Sequence, residues 1–198
     1  MKNKVLIGFA AIAMVVILAS CGKVPQAQID ATNAAIEAAK AAEANVYLPA
    51  EFAAVQDSMN AVTAEIETQQ GKLFKNFGTV KTKLDEITTL ANQTAAGVAA
   101  KKEEVKKEAE TLLNDIKAVI AENTKLVPKL PRGKEGAAVI EQIKADLANV
   151  DAAVTEAQGA FDKGAFMDAL NKIKAAKEKA DGLNTEIKDA LTKARIKF

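Results

Sequence analysis

Alanine and other strong helix formers dominate this chain and restrict what it can fold into. Alanine alone supplies 41 of the 198 residues, and Glu, Lys, Leu and Gln supply much of the remainder. These side chains lose the least freedom when they enter a helix. Runs of alternating β-branched residues, which would indicate strands, do not interrupt them. The sequence therefore predicts an all-α fold.

Apolar residues recur at spacings of three and four, the pattern of helices that bury one face. The pattern predicts about five helices, the first over residues 28–44 and the second from Pro49, which suits the first turn of a helix. Turns are predicted at 71–78 and near Lys163 and Gly164. Such stripes are typical of antiparallel helical hairpins that form a bundle or an elongated, coiled-coil-like domain. The second stripe contains Phe52, Val55, Met59, Val62, Ile66 and Leu73.

The third stripe is the longest and runs from Val80 toward Asn123. As a single helix it would measure about 70 Å at about 1.5 Å per residue. Gly97, in the low-volume stretch 94–100, is the place where such a helix would bend or break. The sequence leaves both outcomes open. Members of this stripe include Leu84, Ile87, Val105, Ala109, Leu112 and Ile116.

Pro128, Pro131 and Gly133 mark the clearest interruption in the helical pattern. They predict a loop between Leu126 and Lys134. Residues 27–198 then form either one helical domain or two hairpin sub-units divided near residues 126–134.

Aromatic residues fall near the predicted helix ends. Rings of this size would fill the ends of a bundle where alanine leaves room. We therefore expect most of them to be buried plugs, namely Tyr47, Phe52, Phe74, Phe77, Phe161 and Phe166.

The helices of each predicted hairpin carry complementary charge. Residues 49–71 hold four acids and no base, whereas residues 72–97 hold four lysines and two acids. Residues 134–158 hold five acids and two lysines, and residues 164–198 hold eight bases and five acids. We expect acidic and basic flanks to face each other across both hairpins, although each exposed pair contributes only ~0.2–1 kcal/mol.

The N-terminal segment has the parts of an export signal. Lys2 and Lys4 precede an apolar run over residues 5–19, which is shorter than the roughly 20 residues of a membrane-spanning helix. The run ends in Leu18-Ala19-Ser20-Cys21, a pattern that resembles the signals of bacterial lipoproteins. The resemblance implies that residues 1–20 are removed, that Cys21 is lipidated and that residues 21–26 form a tether. A signal anchor with a chance cysteine is the alternative.

The position after the cysteine and the charge balance bear on location and partners. Gly22 stands where the resemblance to Gram-negative lipoproteins would place an aspartate for inner-membrane retention, so we expect the periplasmic face of the outer membrane, with the cell surface as the alternative. Without residues 1–20 the chain has 25 basic and 26 acidic groups. A nucleic-acid partner is not expected, because phosphate binding needs a concentrated basic face.

The residues that usually carry enzymatic chemistry are scarce. The chain has no histidine, its one cysteine is the predicted lipid site, and it has neither a phosphate-binding glycine loop nor a haem attachment motif. The acidic pairs Asp85-Glu86 and Glu103-Glu104 lie beside lysines, and adjacent helical residues do not face each other. The lysine-rich stretch 101–107 is interpreted as a salt-bridged face, with a lipid-headgroup patch as the alternative. We expect no enzyme activity, cofactor or metal.

Two short elements resemble a family of bacterial envelope lipoproteins. They are Tyr47-Leu48-Pro49-Ala50-Glu51-Phe52 and Gly164-Ala165-Phe166-Met167-Asp168-Ala169-Leu170. Members of that family combine an alanine-rich start, a Tyr-x-Pro-x-Glu element and a helical pair reminiscent of tetratricopeptide repeats. Most members are uncharacterised, so the resemblance implies a periplasmic helical domain and transfers no activity.

The leading functional hypothesis is a lipid-anchored scaffold or spacer that binds an envelope protein. A surface-exposed adhesin or other binding lipoprotein is one alternative. A periplasmic chaperone or adaptor is another, and an apolar groove left open between helices would favour it.

Overall fold

The computed structural model describes residues 22–198, and all of the regular structure in this range is helical. A short 3₁₀ turn, Val127–Lys129, follows the fourth helix. The predicted all-α fold of antiparallel helices is confirmed. The helices are α1 (Gln26–Ala41), α2 (Ala44–Tyr47), α3 (Pro49–Gln70), α4 (Gly78–Leu126), α5 (Lys134–Asp162) and α6 (Phe166–Lys193).

The chain divides into two compact units, of which the first ends at Ala96 and the second runs from Gly97 to Phe198. The division falls inside α4, which is a single helix of 49 residues. The loop near residues 126–134, where the sequence suggested a division, lies within the second unit. The sequence marks Gly97 as the place where this helix would bend or break, and the structure continues the helix through Gly97 while the boundary between the units falls there.

The first unit packs α1, α3 and the first part of α4 around one apolar core. Val24, Ile29, Ile36 and Met59 cover its margin. Small alanines on α1 let this helix approach its neighbours closely. The buried members of the core are Ala35, Val55, Val62, Ile66, Phe77, Val80, Leu84, Ile87 and Ala91.

A buried hydroxyl joins α1 to α4 in this core. Thr32 is fully buried, and its Oγ1 lies 3.2 Å from the Leu84 carbonyl oxygen and 2.9 Å from Thr88 Oγ1. It also lies 2.8 Å from the carbonyl oxygen of Gln28, in its own helix. A buried polar group needs such partners, since an unmade bond costs about 1–3 kcal/mol. The Thr32 contact therefore fixes which turns of the two helices lie side by side.

Helix direction follows from the two corners of this unit. The chain reverses direction between α1 and α3 at Glu43, which has the left-handed conformation with φ 69°, and at the short α2. Pro49 begins α3 as predicted. The loop 71–77 reverses the chain again, with Glu65 on α3 paired to Lys83 on α4. Helices α1 and α4 are therefore parallel, and Gln28 Nε2 donates to Asp85 Oδ1 at 2.9 Å. The N-terminus of α1 thus lies at the same end of the unit as the loop 71–77.

The loop between α3 and α4 differs from the prediction at two positions. Leu73 was expected in the buried stripe and Phe74 among the buried plugs, but they are 90% and 87% exposed. The reason is that α3 ends at Gln70, before either residue can return to the buried face. Phe77 instead fills this end of the core, at 1% exposure. Tyr47 and Phe52 are buried as expected.

The second unit packs the rest of α4 with α5 and α6. Its buried residues keep the predicted spacing of three and four, except that Leu113 rather than Leu112 is fully buried on α4, because Leu113 lies four residues after Ala109 and three before Ile116. Phe161 and Phe166 lie half-buried with their rings edge to face, 5.1 Å between centroids. The buried residues on α5 and α6 include Ile143, Val150, Val154, Ala157, Ala169, Ile173, Ala176, Ala180, Ile187 and Leu191.

Asn123 makes a buried polar contact between α4 and α6. Its side chain is fully buried, and its Nδ2 donates to the carbonyl oxygen of Ala180 at 2.9 Å. Asn184 Nδ2 donates to Asn123 Oδ1 at 2.6 Å. A single polar residue at a buried seam specifies register, since a shifted pairing would leave it without partners.

Ion pairs cross both hairpins, as the charge pattern predicted. Glu65 pairs with Lys83 across the first, and Glu156 lies 3.6 Å from Lys172 across the second. Basic residues of α6 also pair with α4, where Lys174 contacts Glu108 at 2.7 Å and Lys188 contacts Glu122 at 2.9 Å. These pairs are partly exposed, so they orient helices more than they stabilise them.

Replacement of Gly164 tests the α5–α6 turn. Gly164 has φ +79°, and its N–H donates to the Phe161 carbonyl oxygen. We expect Gly164→Ala to lower the free energy of unfolding by about 1–2 kcal/mol, the cost of a side chain in the left-handed conformation. Gly182→Ala is the matched control, because this site in α6 is exposed and open. The Gly182→Ala change should raise the free energy of unfolding by about 1 kcal/mol. Urea titrations followed by circular dichroism measure both changes.

Removal of the Asn123 amide tests the polar contact in the second unit. We expect Asn123→Ala to destabilise this unit by about 1–3 kcal/mol, because the contact is lost and the space is not refilled. The measurement is hydrogen exchange of the α6 amides. Asn149→Ala, at an exposed position of α5, should change stability by less than about 0.5 kcal/mol. Equal protection in the two variants would contradict a specifying role for Asn123.

Candidate functional site

The predicted attachment residue, Cys21, lies outside the described residues, but the structure shows where the chain leading to it enters. Gly22 and Lys23 are exposed, Val24 packs against the core of the first unit, and Pro25 is buried. Half of the expected tether, residues 24–26, therefore belongs to the folded unit. Only three peptide steps separate Cys21 from Val24, which is at most about 10 Å of extended chain.

Two residues of the acidic pairs considered from the sequence contact other helical side chains. Asp85 accepts a hydrogen bond from Gln28, and Glu104 pairs with Lys101 at 2.8 Å. Over residues 22–198, no cluster of three or more His, Cys, Asp or Glu side chains suits a metal ion. Asp85 thus makes a contact between helices, and Glu104 makes one along its own helix.

The lysine-rich stretch 101–107 contributes to helix contacts of the second unit. Lys106 places its ammonium 5.7 Å from the ring centroid of Phe166, a cation–π distance. Two residues further along, Glu108 accepts the Lys174 ammonium. Within the stretch itself, Lys101 pairs with Glu104, which agrees with the salt-bridged face.

Shallow grooves run between neighbouring helices within each unit. One of about 330 Å³ lies between α3 and α4, with the buried Val62 and Ile87 at its base and Lys83, Glu86 and the exposed Leu90 around them. Another of about 350 Å³ lies between α5 and α6, where Val150 and Leu183 are bordered by Asp146 and Lys179. Both combine an apolar floor with charged edges.

Two glutamates have acidities set by contacts between helices. Hydrogen bonds from the Lys83 ammonium and the Thr79 hydroxyl hold the pKa of Glu65 below its usual 4.5. In the second unit, a hydrogen bond from Lys188, supported by Asn184, lowers the pKa of Glu122 in the same way. Both carboxylates therefore remain charged in mildly acidic solution.

The tip of the α3–α4 loop is the surface feature that sequence reasoning missed. Lys72, Leu73, Phe74 and Lys75 are all exposed. The flanking lysines were the available signal, because a residue pair bound for a core is not usually bracketed by charges in a turn. We call residues 72–75 the apolar loop tip.

Sequence and structure comparisons supply no relative for this chain. Protein-family models, curated proteins and solved structures were compared with it, and none of them matches. Within residues 22–198, no helix is both long enough and apolar enough to cross a bilayer.

Acidification tests the pairing of Glu122. Its folded pKa is lowered, so its contribution to stability is present above the unfolded value and is lost as pH falls through the folded value. We expect protection of α6 amides to fall below about pH 4.5 and Glu122→Gln to flatten this decline. Glu110→Gln, at an exposed position of α4, should leave the decline unchanged. If Glu122→Gln keeps the wild-type pH profile, the decline does not come from the pairing of Glu122.

Proposed function

We propose that this protein is a lipid-anchored, non-enzymatic scaffold or spacer of the bacterial envelope that binds a protein partner. The observation that carries the proposal is the sequence Leu18-Ala19-Ser20-Cys21 at the end of a positively charged, apolar export signal. Lipid chains at Cys21 would hold the protein at a membrane, since each buried CH₂ contributes about 0.8 kcal/mol.

The fold supports the scaffold part of the proposal. Both units are helical, and among the described residues no buried side-chain nitrogen or oxygen lacks a hydrogen-bond partner. The buried polar side chains thus have partners within the protein, and the side chains available to a protein partner are those on the outer faces. The resemblance to alanine-rich envelope lipoproteins points to the same setting.

The proposed location is the periplasmic face of the outer membrane. Gly22, in place of aspartate after the lipidated residue, supports it. Protease added to intact cells distinguishes the two faces, because protection agrees with the periplasmic face and cleavage would favour a surface-exposed adhesin.

Lipidation is tested by the mass of the chain purified from membranes. We expect a chain that begins at Cys21 and is heavier than residues 21–198 by a diacylglycerol and an acyl group. Cys21→Ser should abolish both the cleavage and the added mass. A wild-type chain that keeps residues 1–20 and carries no lipid would contradict the proposal.

Partner binding is tested by photo-crosslinking in cells. A photoreactive residue at Val139, which is exposed on α5, should capture an envelope protein, whereas one at Ala176, which is buried on α6, should not. Recovery of uncrosslinked monomer from every exposed position would contradict the scaffold function.

A further inference from the structure

The apolar loop tip exposes two large apolar side chains next to each other. Leu73 and Phe74 are 90% and 87% exposed. The other large apolar residues that are exposed in the described chain, Val46, Leu90, Val139 and Phe198, are each between 36% and 54% exposed and are distant from one another in sequence. Adjacent exposed apolar residues mark an interaction site more often than scattered ones do.

The base of this loop is held by specific contacts. The Asn76 backbone N–H donates to Gln69 Oε1 at 3.4 Å, and Asn76 Oδ1 accepts the Gly78 N–H at 2.9 Å. Phe77 is buried in the core directly below. The contacts tie the loop to the ends of both helices, so the tip projects from the end of the unit.

The loop tip and the entering chain lie at the same end of the first unit. Helices α1 and α4 are parallel, with Gln28 beside Asp85 and Thr32 beside Leu84 and Thr88. Val24 belongs to the same packed cluster as Phe77 and Val80. Because Cys21 is at most about 10 Å of chain from Val24, an anchor there would hold this end of the unit against the bilayer.

The charge around the loop tip suits an anionic lipid surface. Lys72 and Lys75 flank the apolar pair. Between residues 65 and 83 there are four lysines and two glutamates, and one of the glutamates, Glu65, is already paired with Lys83. Lysines beside buried apolar residues keep their ammonium groups at the level of the phosphates.

We infer that the apolar loop tip is a second membrane contact, in which Leu73 and Phe74 enter the headgroup boundary of an anionic bilayer beside the lipid anchor. The inference rests on the proposed anchoring at Cys21. A protein partner is less well supported, because a tether this short leaves the tip facing the membrane. The two contacts together fix the orientation of the first unit on the bilayer, which one flexible lipid anchor does not.

A single tryptophan tests the contact, because the chain has none of its own. Phe74→Trp is made in the full chain, purified from membranes and reconstituted in vesicles of phosphatidylcholine and phosphatidylglycerol with brominated acyl chains. Val46→Trp is the matched control, since Val46 is exposed in α2 at the opposite end of the same unit. We expect the bromines to quench the tryptophan fluorescence at position 74 several-fold more than at position 46. The emission maximum should shift to the blue on reconstitution at position 74 only.

Charge reversal tests the role of the lysines in the same assay. Lys72→Glu with Lys75→Glu should reduce quenching at position 74 several-fold, while circular dichroism stays unchanged because both positions are exposed. Equal, weak quenching at positions 74 and 46 would overturn the inference. So would an emission shift at position 74 that requires an added envelope protein and does not occur with lipid alone.

The mass of each reconstituted chain separates this inference from the proposed anchoring. A lipidated chain whose position 74 stays unquenched overturns the loop contact and leaves the anchor intact. An unlipidated chain whose position 74 is quenched by added vesicles supports the loop contact and overturns the anchor.

Discussion

The contact between Thr32 and α4 determines the arrangement of the first unit. A fully buried hydroxyl that reaches the Leu84 carbonyl oxygen and Thr88 Oγ1 allows one register of α1 against α4. Because the helices are parallel, this register brings Val24 into the cluster that contains Phe77. The entering chain, the end of the core and the exposed loop tip therefore meet at one end of the unit.

This arrangement connects the fold to the proposed role at a membrane. A lipoprotein with a long tether could point any surface at its bilayer, but here Val24 and Pro25 already belong to the folded unit. The proposed anchor thus selects one end of the helices, and the exposed pair Leu73-Phe74 lies there. The outer faces of the helices would then be the surfaces for the proposed partner.

Local chemistry explains which features could be predicted from the sequence. Pro49 and Gly164 fix backbone conformations by themselves, so the start of α3 and the α5–α6 turn were found in the right places. The unit boundary at Gly97 lies within one helix, and it depends on which other helices pack against each half of α4. Exposure of Leu73 was missed because periodicity does not show where a helix stops. The end of α3 at Gln70 and the lysines on either side of Leu73 and Phe74 together identify the loop tip.

The central claim is that the entering chain and the apolar loop tip lie at the same end of the first unit. Distances between pairs of spin labels test it most directly. Two variants carry the labels, Lys23→Cys with Lys75→Cys and Lys23→Cys with Val46→Cys. Lipid would occupy the thiol of Cys21, so only the introduced cysteines would react with the label. The structure predicts less than about 20 Å for the first pair and about 30 Å for the second, from a rise of about 1.5 Å per helical residue. A longer distance for the pair at 23 and 75 than for the pair at 23 and 46 would contradict it.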